Sequence, residues 1–73
     1  MTEQSRLEAL ERGKQVGKAR SRRDESLARM LTDNFNRWAK FTAFQEGLSP
    51  QDYRIPFDEG YKSEFEPTME RFR

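Results

Sequence analysis

The 73 residues carry 14 Lys and Arg against 13 Asp and Glu, a net charge of +1, with neither cysteine nor histidine. That excludes disulfides, thiolate zinc sites, a Cys nucleophile and an imidazole base, so most enzyme chemistries lose their central group and no cofactor or metal is expected. Leu, Ile, Val and Phe number only 13 beside nine aromatics, which predicts one small core with loose ends.

In chain order, the first candidate element is a short helix near residues 3–13, supported by Leu7, Leu10 and an acid-before-base pair, Glu8 and Arg12,. Its apolar stripe is narrow, Val16 falls on the opposite side, and Gly13 and Gly17 weaken it,. Residues 1–23 therefore read as a marginally helical, partly disordered basic arm. Its charge is concentrated: Arg12, Lys14, Lys18, Arg20, Arg22 and Arg23 fall within twelve residues that contain no acid. Such a strip attracts phosphates or protein carboxylates, and its spacing carries no base-reading pattern. The plain alternative is a solvated linker, or a strip paired with the chain's own acids.

Asp24 to Glu46 reads as a long amphipathic helix. Leu27, Met30, Leu31, Phe35, Trp38 and Phe41 recur at steps of three and four and form its predicted core face,. Ser21 is a candidate cap, Glu25–Arg29 and Asp33–Arg37 are spaced as ion pairs, and Gly47 suits the position after the last turn,. Trp38 is expected to hold the fold, and its loss to cost about 3–5 kcal/mol if buried. Phe44 projects near Arg37 and Lys40, at the edge of the polar face, and must be covered or offered to a partner.

Ser49-Pro50-Gln51-Asp52 has the form of a helix start, followed by a single turn through Arg54,. Pro56 and Gly60 are expected to interrupt the chain, and Pro67-Thr68 to open a last short turn carrying Met69 and Phe72. Residues 46–70 hold seven acids and two bases, interleaved with Tyr53, Phe57, Tyr61 and Phe65. Acids among aromatics suit either docking on a basic surface or an ordinary solvated face over a small core. Residues 24–73 are thus expected to form the helical body, with Tyr61 and Phe44 as its exposed aromatic anchors.

Other motifs fail. Residues 13–18 have one residue too few for a phosphate loop, and Ala19 stands where Ser or Thr would bind Mg²⁺,. Asp58 and Glu59 beside Gly60 read as a turn rather than a catalytic pair. A helix-turn-helix over Leu7–Leu31, with Arg20–Arg29 opening the reading helix, is a minor alternative. Apolar runs of two or three residues are far short of the roughly 18 needed to cross a bilayer, and Met1–Arg12 has no signal-like stretch. A cytoplasmic monomer without membrane contact is expected.

The basic run at residues 12–23, the helical body and the acidic-aromatic segment from Gln45 to Phe72 together resemble the small bacteriophage-encoded regulators that bind bacterial RNA polymerase. The resemblance lies in size and layout. It implies that the acidic-aromatic part grips a basic surface of the polymerase while the arm lies near nucleic acid or an acidic channel, blocking initiation or suppressing termination. A free-standing RNA or DNA binder and a protein inhibitor of another kind, such as an anti-defence factor, are the alternatives. The expectation is therefore an all-α domain of three or four short helices that works by binding.

Overall fold

The computed structural model describes residues 1–70 and the side chains of residues 1–65. Among them there are three α-helices, α1 (Glu3–Ser21), α2 (Glu25–Glu46) and α3 (Arg54–Glu70), with one 3-10 turn at Pro50–Tyr53. The all-α expectation holds, but the partly disordered arm does not: residues 3–21 form one 19-residue helix. Its start is fastened locally. Thr2 Oγ1 accepts from the Ser5 backbone N–H at 3.0 Å, and Ser5 Oγ accepts from the Thr2 N–H at 3.1 Å, closing two of the free donors at the helix end.

Gly13 and Gly17, expected to weaken α1, are where it touches α3. Gly13 lies against Phe57, Gly17 against Tyr61 and Glu64, and Ser21 Oγ donates to the Glu64 carbonyl at 3.2 Å. Position numbers rise together, so α1 and α3 run parallel. A methyl group on Gly13 would collide with the Phe57 carbonyl, and one on Gly60 with the Leu10 carbonyl. The two backbones thus meet directly, in reciprocal contacts that side chains would hold apart. Gly60 is therefore a packing point inside α3, not an interruption. Pro56 sits in the first turn of α3, where no helical partner needs its missing N–H. Asp58 and Glu59 lie within the same helix rather than in a turn, and no new turn opens at Pro67; the expectations for the Met69 and Phe72 side chains lie outside the described residues.

α2 runs antiparallel to both neighbours. Its cap is Asp24 rather than Ser21, with Oδ1 accepting from the Leu27 N–H at 3.1 Å. It ends at Gly47, whose φ of 71° is the left-handed conformation that glycine adopts without strain,. The turn from α1 into α2 has the same geometry with a different residue. Arg23 has φ 62°, its N–H donates to the Arg20 carbonyl, and the Asp24 N–H donates to the Ala19 carbonyl, both at 2.9 Å. This is a Schellman stop with arginine at the usual glycine position. Residues 20–29 thus span two helices and a tight turn, which removes the reading helix of the helix-turn-helix alternative.

The buried core is Ala9, Val16, Ala19, Ala28, Phe35, Ala39, Ala43, Tyr53 and Phe57, with Leu31, Trp38 and Tyr61 packed against it. Phe35 and Phe57 rings lie 4.1 Å apart, and Trp38 meets Tyr53 edge-on at 5.6 Å. Phe41 and Met30, expected in the core, are exposed. Ala28, Ala39 and Ala43 line the inner side of α2 beside Phe35, while Leu27, Met30, Phe41 and Phe44 are left on the other side.

Candidate interaction surfaces

The six predicted cations separate into two groups. Arg12 and Arg20 point back onto the molecule. Arg12 lies over the Trp38 ring at 5.2 Å, with Nε 3.0 Å from Glu8 Oε2, which closes the expected Glu8–Arg12 pair without the alignment of a hydrogen bond. Arg20 lies over the Tyr61 ring at 5.6 Å, donates from Nη1 to the Tyr61 hydroxyl at 3.0 Å, and reaches Glu25 at 3.8 Å. The tyrosine hydrogen bond and, after it, the tyrosine charge raise the Arg20 pKa above its ordinary value,. These contacts use arginine as a flat, stacking cation.

The other four, Lys14, Lys18, Arg22 and Arg23, make no ion pair among the described residues. Lys14, Lys18 and Arg22 are spaced by four along the side of α1 opposite its buried stripe of Ser5, Ala9, Gly13 and Val16,. Lys14 is half-buried, the remaining three are exposed, and Arg23 adjoins them in the turn. A row of uncompensated cations therefore runs up α1 and over its C-terminal end.

Tyr61, expected to be an exposed anchor, is half-buried and engaged by Arg20 and by Phe65, ring to ring at 5.3 Å. Phe44 is 88% exposed. It lines a shallow apolar groove with Phe41 and the stems of Arg37 and Lys40,. The i,i+4 pairs Glu25–Arg29 and Asp33–Arg37 are not closed. The outer side of α2 therefore combines uncovered apolar surface with unpaired charge, a combination the sequence reading missed because it assigned Leu27, Met30 and Phe41 to the core. The discriminating signal was Ala28, Ala39 and Ala43, which with Phe35 trace a second and better face.

The acidic segment is partly used internally. Tyr53, fully buried, donates its hydroxyl to Glu46 Oε1, and Ser5 Oγ donates to the same oxygen at 3.3 Å. This one carboxylate ties the start of α1 and the 3-10 turn to the end of α2. The tyrosine hydrogen bond, above all, holds the Glu46 carboxyl below its ordinary pKa, while burial and then Glu46 push the Tyr53 hydroxyl up to about 12,. Asp52 caps the 3-10 turn by accepting from the Ser49 N–H at 3.0 Å. Asp58 and Glu59 remain exposed on α3.

No helix among the described residues is long and apolar enough to cross a membrane. Comparisons with known proteins find no matching family model, no matching curated protein and no matching solved structure.

Proposed function

We propose that the protein is a non-enzymatic regulator that acts by occupancy, docking its cationic row on an acidic site of a larger nucleic-acid-handling protein. The observation that carries this reading is the uncompensated charge of Lys14, Lys18, Arg22 and Arg23 on a helix that is otherwise firmly packed. A rigid row of cations presents its charge without the ordering cost of a flexible arm, which favours both rate and register of encounter with an anionic partner. The lack of histidine and cysteine fits binding rather than catalysis. By resemblance of size and layout to phage-encoded regulators, bacterial RNA polymerase is the partner to test first, with inhibition of initiation or antitermination as the effect.

The test is binding of the full chain to purified polymerase, read beside in vitro transcription, with a variant in which Lys14, Lys18, Arg22 and Arg23 are all replaced by Gln. The expected result is parent binding with altered transcript yield, and at least about tenfold weaker binding by the variant. Equal binding by both overturns the role of the cationic row. Binding to RNA alone, with a log–log salt slope of about −0.7 to −0.9 per phosphate neutralised, replaces this reading with the free-standing nucleic-acid binder.

A further inference from the structure

The outer face of α2 is complementary to itself. Leu27, Met30, Asn34, Arg37, Phe41 and Phe44 recur at alternating steps of three and four along the whole helix, the spacing of a coiled-coil seam. All six are exposed, the four apolar ones to 36%, 51%, 64% and 88% in chain order. They lie on the side of α2 away from Ala28, Phe35, Ala39 and Ala43, which the protein's own core buries,.

Read from either end, the seam has the same spacing and the same order of apolar, apolar, polar, polar, apolar, apolar. A second copy laid antiparallel sets Leu27 against Phe44, Met30 against Phe41 and Asn34 against Arg37, each pair occurring twice by symmetry. The flanks agree with this register. On one side Asp33 of each copy comes beside Lys40 of the other, and neither residue has an ion pair among the described residues of its own chain. On the other side Leu31 comes beside Trp38, both half-buried in the single chain. A parallel pairing would set Arg37 against Arg37 in the seam and bring Asp33 no cation, so the same residues that favour one direction oppose the other.

We propose that the protein forms a two-fold dimer through antiparallel pairing of α2, with Phe44 seated on a second copy of the chain. This departs from the expected monomer and is independent of the partner met by the cationic row, which lies on α1 and its terminal turn. Four apolar layers interrupted by one polar pair make a seam weaker than a continuous one, and association in the range of about 1–100 μM is expected.

Sedimentation equilibrium of the full chain over a concentration series tests this without polymerase or nucleic acid, so its failure leaves the proposed function standing. The mass should rise from 8.7 kDa toward twice that value. Phe41→Ser, at an exposed position, should leave the thermal melt of the monomer intact and raise the dissociation constant about 30-fold or more. Asp33→Lys should weaken the dimer about tenfold, and adding Lys40→Asp should restore it. Because the chain has no cysteine, Asn34→Cys and Arg37→Cys variants report direction: a disulfide should form faster in their mixture than in either alone. A mass that stays at 8.7 kDa up to about 500 μM,, a dimer indifferent to Phe41→Ser, or a charge reversal that the second exchange fails to rescue overturns the proposal.

Discussion

The contact between α1 and α3 and the contact that α2 makes with α3 and the 3-10 turn are built in opposite ways. α1 and α3 meet through glycines and main-chain carbonyls, with no side chain between the backbones at Gly13 and Gly60. α2 meets α3 and the 3-10 turn through rings, Phe35 on Phe57 and Trp38 on Tyr53. The first contact fails when an atom is added; the second fails when atoms are removed. A chain with so few aliphatic residues can still close a core because one of its two contacts needs almost none.

The largest test removes a ring. Phe35→Ala should lower stability by about 3–5 kcal/mol, read as a fall in the urea midpoint, since it empties the space between α2 and Phe57. Trp38→Ala should cost less, because Trp38 is half-buried and covered on one side by Arg12. Next comes the addition of a single carbon. Gly60→Ala gains helix propensity of about 1 kcal/mol but drives a methyl group into the Leu10 carbonyl, and the net loss should be about 2 kcal/mol or more,. A Gly60→Ala variant as stable as the parent would break the comparison, because it would show that the backbones can move apart at no cost.

The third test sits where α1, α2 and the 3-10 turn meet. Tyr53→Phe should cost about 1–2 kcal/mol by removing the donor to Glu46,. It should also flatten the pH dependence. Because folding lowers the Glu46 pKa, the stabilisation is present above the ordinary carboxylate pKa of 4.5 and is lost as pH falls below it,. Because folding raises the Tyr53 pKa, the folded state loses stability between about pH 10 and 12,. Chemical denaturation across both ranges, in parent and variant, separates the two effects. The smallest test is a gain. Arg23→Gly should stabilise by about 0.5–1 kcal/mol by relieving the positive φ, since Arg23 makes no ion pair among the described residues,.

The helix boundaries of the middle of the chain were legible in the sequence. The span of α2, its stop at Gly47 and the capping of the 3-10 turn by Ser49 and Asp52 all follow from local chemistry that the structure retains. What was not legible depended on distance along the chain. Gly13, Gly17 and Gly60 weaken a helix when judged alone, and only the approach of a second backbone turns them into contacts. Phe41 and Met30 also recur at helical spacing and carry more apolar surface than the alanines, so the face of Ala28, Phe35, Ala39 and Ala43 that packs is easily passed over when the helix is judged alone. The cationic row was visible as composition, but its division into Arg12 and Arg20 stacked on rings and four unpaired neighbours required the fold.

The close approach of α1 to α3 also bears on how the chain reaches this state. Gly13 and Phe57 are 44 positions apart in the sequence, so the tightest interface in the molecule is among its least local. Closing it must bring together two ends of a long stretch of chain, so its closure is expected late in folding and its rupture early in unfolding. Substitutions there should act mainly on the rate of opening, leaving the rate of refolding almost unchanged.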